Sequence, residues 1–172
     1  MKTLIIHLLI TINITTISYA QNLNAELENT TYKIKSNKNV TPHFIKEVQN
    51  RNTPNHAKHF ENLASQWGIQ QVSKYDKPKK SFNATFKSDK GQIAVTYDKN
   101  GKLIAAEEEF KNIALPKHVI QFIYNKHRGW TVTGNMYSVS YHRNKLLKIL
   151  YEVQLKKGYL NKSVQLNIDT IY

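Results

Sequence analysis

Six histidines lie beyond residue 20, at positions 43, 56, 59, 118, 127 and 142, and one pair among them is spaced for chemistry. His56 and His59 stand at i and i+3 within NHAKHFENLASQW, so one side of a helix would carry both, with Glu61 close by in sequence. Two imidazoles and a carboxylate can hold zinc, and they define one route to a secreted metal-dependent hydrolase. The HExxH spacing of such enzymes is absent, however, and two helical histidines serve as readily on a solvated surface. The second concentration of reactive groups is the run Glu107, Glu108, Glu109. On a strand Glu107 and Glu109 share one face and Glu108 takes the other. Carboxylates in unlike environments can divide acid and base roles. Adjacent glutamates at a strand end otherwise keep a surface soluble or pair with lysines across the sheet, which is the reading adopted here.

Other chemistry is scarce. The chain has no cysteine, which removes thiolate nucleophiles, disulfides and sulfur-ligated zinc. It has no GxSxG nucleophile turn, no P-loop and no GxGxxG fingerprint, and six glycines leave little for loops that cradle phosphate. Ten tyrosines in a chain of net charge +13 could stack bases or sugars. Most fall in alternating stretches, where they serve as strand formers with a polar tip. No catalytic residue, metal ligand or cofactor is therefore assigned. The charge favours anionic partners in general, and nucleic acid is disfavoured by the leader described next.

Residues 1–20, MKTLIIHLLITINITTISYA, combine a positive charge, a short apolar stretch and a terminal small residue, the anatomy of a secretory signal peptide. The expected address is periplasmic or extracellular, without a transmembrane anchor, and the lack of cysteine favours a bacterial envelope protein. Residues 21–55, rich in Asn, Thr and Lys, read as a loosely structured lead-in, with TYKIK able to form a short strand and PHFIKEV a turn or two of helix.

From residue 56 onward the elements become regular. Ala57, Phe60, Leu63, Ala64 and Trp67 recur at helical spacing, Asn55 suits the N-cap, and Gly68 is expected to end the helix at positive φ. SFNATFK and QIAVTYD alternate as strands, joined through Asp98-Lys99-Asn100-Gly101 to KLIAAEEEF, whose inward side is assigned to Ile104, Ala106 and Phe110. Pro116 then opens a second helix along Leu115, Val119, Phe122 and Ile123, closed by Gly129. Three further strands follow, and a bulge is expected near Gly134, where the alternation slips between Val132 and Tyr137. Helix, glycine and strands thus occur twice, in halves of about 56–110 and 115–172. The fold class is α+β, a tandem helix-plus-strands repeat with helices on one face of an antiparallel sheet.

The turn YDKNGKLI, the acidic EEEF, the helix start LPKHV, the exit Gly129-Trp130 and the strand YEVQLKKG resemble the PepSY-like, or beta-lactamase-inhibitor-protein-like, domains secreted by Bacteroidetes. That resemblance implies a sheet whose uncovered face binds a protein, without an inhibitory or catalytic signature to transfer. The expected function is an exported, non-enzymatic binding or inhibitor-like domain, its partner a protein or an anionic envelope component. If Leu147, Ile149, Tyr151, Val153 and Leu155 face the core, then Lys148, Glu152, Gln154 and Lys156 face outward as candidate ligand contacts. The competing readings are the hydrolase built on His56 and His59, and a purely structural envelope protein.

Overall fold

The computed structural model describes residues 22–25, 42–74 and 80–167. The leader at 1–20, the stretch TYKIK and the last residues, 168–172, lie outside them. The fold is α+β. Strand β1 (Asn22–Ala25) is followed by helices α1 (Pro42–Val48) and α2 (Asn55–Lys74), strands β2 (Phe82–Ser88), β3 (Gly91–Tyr97) and β4 (Leu103–Lys111), helix α3 (Lys117–Lys126), and strands β5 (Thr131–His142), β6 (Lys148–Lys157) and β7 (Leu160–Asn167). The strands form one sheet in sequence order, β1 parallel to β2 and the other six an antiparallel meander. No helix among the described residues is long and apolar enough to cross a membrane.

The alternation of the strands sorts the sheet into two faces. Register places Ile93 and Val95 of β3 beside Glu108 and Ala106 of β4, these beside Val139 and Tyr141 of β5, and Tyr137 beside Tyr151 of β6. All of these are buried, and the same apolar cluster includes Phe44 and Val48 of α1, Phe60, Leu63 and Ala64 of α2, and Val119 and Ile123 of α3. Phe44 and Val48 belong to the stretch expected as a loose lead-in. Phe60 meets Phe110 with ring centroids 5.3 Å apart, Phe44 meets Tyr141 at 5.0 Å, and the Tyr97 hydroxyl donates to the Ala64 carbonyl at 2.7 Å. The Tyr151 hydroxyl likewise donates to the Asn52 carbonyl in the α1–α2 turn. A buried tyrosine hydroxyl ordinarily finds such a partner, and for these two the backbone of α2 supplies one and that of the α1–α2 turn the other.

Several expectations need correction. Gly68 does not end α2, which continues to Lys74. A side chain there would sit 2.3 Å from the Tyr97 ring and 2.6 Å from the Gly101 carbonyl oxygen, so the glycine allows the β3–β4 turn to approach the helix closely. In that turn only Gly101 takes positive φ, while Asp98 Oδ1 accepts from the amides of Asn100 and Lys102, each at 2.9 Å. The register shift beside Tyr97 brings Leu103, rather than Ile104, into the core. Pro116 is the N-cap of α3, not a residue of its first turn. The expected irregularity in β5 is present, as a register shift between Val132 and Gly134.

Candidate functional site

The face opposite the buried one has a different character. Its residues include Thr85, Ala94, Glu107, Ser140 and Lys148 in one row across β2 to β6, with Lys87, Gln92, Glu109, Ser138 and Leu150 in the next. None of these is buried, so the face is broad and mostly polar. Hydrogen bonds run between strands across it: Ser140 Oγ donates to Glu107 Oε1 at 2.7 Å and Ser163 Oγ to Glu152 Oε1 at 2.9 Å. Lys111 Nζ lies 3.1 Å from Glu109 Oε1.

Toward one end the face is indented by an open depression lined by Glu109, Lys111, Asn112, Asn135, Met136, Glu152 and Gln154. The β5 bulge shapes it. Gly134 has no side chain, and a Cβ there would lie 2.9 Å from Gln154 Oε1 and 3.3 Å from Asn112 Oδ1. Asn112 takes a left-handed φ of 50°, a conformation asparagine tolerates better than most residues, and its amide donates to the Asn135 carbonyl at 2.8 Å. Asn135 returns its own amide to Asn112 Oδ1 at 3.2 Å and its side-chain amide to the Ile113 carbonyl at 3.0 Å. The bonds hold the rim in a fixed shape. Bulges of this kind re-aim side chains where a sheet binds.

The four outward positions expected on β6 do alternate with the buried Ile149, Tyr151, Val153 and Leu155. Lys148, Gln154 and Lys156 are exposed and Glu152 is half-buried. They are not one cluster. Glu152 and Gln154 line the depression, whereas Lys148 and Lys156 stand roughly 26 Å apart along the strand at about 3.3 Å per residue. Glu109, Lys111, Asn112, Asn135 and Met136 come from neighbouring strands and loops. The slip in alternation at Gly134 was the sequence signal for that place, although it pointed to no particular side chain.

The histidine route gains no geometry. His59 is exposed and Glu61 fully buried, so these two do not face a common ligand. His56 Nε2 lies 3.2 Å from Ser88 Oγ, with its ring against Phe60 and Phe110. Burial holds its pKa below the ordinary value, with His59 and Lys90 acting in the same direction and Asp89 against them. Among the described residues no three of His, Asp and Glu converge.

Glu108 departs from the solubility role given to its run. It is 4% exposed and Glu61 is 0% exposed, and the two carboxyl groups interact inside the core. Among the described residues none of their four oxygens has a partner in good hydrogen-bond geometry, although Gln49 and Lys58 lie near enough to temper Glu61. Burial pushes Glu61 up to about 7 against the lowering pull of Gln49, Glu108 and Lys58. Burial also pushes Glu108 well above the carboxylate range, and the charges of Glu61 and Glu107 add to it. The nearby hydroxyl of Tyr137 is buried with no partner in good hydrogen-bond geometry among the described residues; burial raises its pKa and both glutamates add to that, with Thr53 pulling the other way. Two negative charges cannot coexist cheaply there, and a shared proton is the arrangement that fits. Sealed from solvent, the pair is a titrating unit of the core rather than a site for external substrate.

Comparison with known proteins returns no matching family model, no matching curated protein and no matching solved structure.

Proposed function

We propose that this chain is an exported, non-enzymatic binding domain that holds a protein or an anionic envelope component on the outward face of its sheet. The observation that carries the reading is the outward face from β2 to β6, on which none of the residues named above is buried. An amphipathic sheet with one apolar and one polar face needs only one covering layer, and the outward side from β2 to β6 is broad, internally hydrogen-bonded and indented at the β5 bulge. Glu152 and Gln154 are the central contacts, with Lys148 and Lys156 toward the two ends of β6.

The finer architecture belongs to the same proposal. Helices lie on one side of the sheet, and a helix followed by three antiparallel strands is repeated. Support comes from the contacts of α1 and α2 with Tyr141, Phe110 and Tyr97, from Lys162 Nζ on β7 reaching His127 Nδ1 at the end of α3 at 3.0 Å, and from the order α2-β2-β3-β4 then α3-β5-β6-β7. That order, with the motifs between Ile93 and Asp169, is what supports kinship with PepSY-like domains.

The test is affinity capture from an envelope extract of the source organism, with the wild-type chain beside Lys148→Ala/Glu152→Ala/Gln154→Ala/Lys156→Ala. A partner held by wild type at moderate salt and lost by the variant supports the reading. Equal retention by both proteins refutes the assignment of the face.

A further inference from the structure

The positive charge of the chain is unevenly placed. Between Phe110 and Asn167 there are ten Lys and Arg residues and a single acid, Glu152. Part of that charge gathers where the exit of α3 meets the β6–β7 hairpin. Lys162 Nζ lies 4.2 Å from the Trp130 ring centroid and 3.0 Å from His127 Nδ1, and Lys157 reaches to within 3.6 Å of the place a Cβ would occupy on Gly129. Lys126 and Arg128, in the same helix exit, are exposed. His127 is held below its ordinary pKa by desolvation and by Lys162 and Lys126, as expected where cations crowd.

An apolar tip projects from this basic ground. Lys157 pairs with Leu160, so Gly158 and Tyr159 are the whole turn, and the φ of 58° at Gly158 suits the first central position of a tight hairpin turn. Tyr159 is 103% exposed and Leu160 is 64% exposed. Nothing among the described residues within 4 Å would meet a side chain at Gly158. A fully solvated tyrosine and a largely exposed leucine at the end of a β-ribbon gain little from folding.

We infer that the β6–β7 tip and the α3 exit form a peripheral docking surface for an anionic lipid bilayer. The apolar tip enters the headgroup region, where tyrosine is favoured, while Lys126, Arg128, Lys157 and Lys162 meet the lipid phosphates. Charge complementarity selects an anionic surface, and the exposed tip selects a bilayer over a soluble polyanion, which would leave Leu160 in water. The inference is independent of the outward-face proposal, because Lys126, Arg128, Tyr159 and Leu160 take no part in it.

The experiment is co-sedimentation of the purified protein with vesicles of phosphatidylglycerol and phosphatidylcholine, and with vesicles of phosphatidylcholine alone. Each cation near such a surface contributes about a five-fold gain in partitioning, so Lys126→Gln/Arg128→Gln/Lys157→Gln is expected to weaken binding to the anionic vesicles about a hundred-fold. Tyr159→Ser/Leu160→Ser is expected to weaken it about ten-fold or more through lost apolar burial. All five positions are exposed, so the variants should fold, which an unchanged urea midpoint will verify. Failure to sediment with anionic vesicles at moderate salt overturns the inference. So does equal binding to neutral vesicles, binding that survives both variants, or binding to a single-stranded oligonucleotide without any binding to vesicles.

Discussion

Replacing both buried glutamates, Glu61→Gln/Glu108→Gln, should remove most of a pH dependence of stability that the wild-type fold carries. In the unfolded chain these carboxyls titrate near 4.5, and in the folded chain Glu61 titrates at about 7 and Glu108 well above its ordinary range. Between those values the folded state holds protons that the unfolded state has released. The stabilisation is therefore full below about pH 4.5 and is lost as pH rises through about 7. For Glu61 alone the shift corresponds to roughly 3 kcal/mol at 1.36 kcal/mol per pH unit, and Glu108 adds in the same direction. That is a large part of the stability of an ordinary domain. His56 acts oppositely, since its lowered pKa costs stability as pH falls below 6.5, but it is present in both proteins and cancels in their difference. Urea unfolding at pH 5 and pH 8 is the assay. Across the interval wild type is expected to lose at least roughly 3 kcal/mol more than the double variant, because neutral amides can bond to each other without titrating. A wild-type stability that is flat between those pH values, or a double variant that keeps the decline, would refute the assignment of a proton-sharing core pair.

Gly68→Ala should destabilise the fold by about 1–2 kcal/mol in urea titration, because overpacking against Tyr97 and Gly101 outweighs the helix propensity gained. Tyr97→Phe leaves the Ala64 carbonyl without its 2.7 Å donor and is expected to cost about 1–2 kcal/mol by the same measurement. The four alanine substitutions on β6 alter exposed or half-buried positions and should move the urea midpoint little, about 0.5 kcal/mol or less per exposed site, so that any loss of binding is not a loss of fold.

Periodicity made the frame legible. Alternation from Ile93 to Tyr97 and from Ile149 to Leu155 marked the buried face, and the slip at Gly134 marked the bulge. The same periods also carried Glu61 and Glu108, though hydropathy hid them. Glu61 stands four residues after Ala57 and three before Ala64, within the buried stripe of α2, and Glu108 alternates with Ala106 and Phe110. A carboxylate ordinarily reads as surface, because burial in the charged form is so costly, and position outweighed residue type only once the two groups could face each other. Gly68 was misread for a related reason. Sequence shows that glycine lacks a side chain, but not whether the backbone uses that freedom for a turn or for the close approach of Tyr97. The depression was illegible in detail because Asn112, Asn135 and Gln154 meet through β5 and β6 register, which depends on pairs far apart in the chain.

The absence of cysteine permits a direct test of the outward-face account. A photo-crosslinker attached through Gln154→Cys, in the depression, is compared with one attached through Gln70→Cys, exposed on α2, in the same envelope extract. The account predicts a discrete covalent adduct from position 154 and none of that mass from position 70. Identical adducts from both positions, or none from position 154, would contradict it.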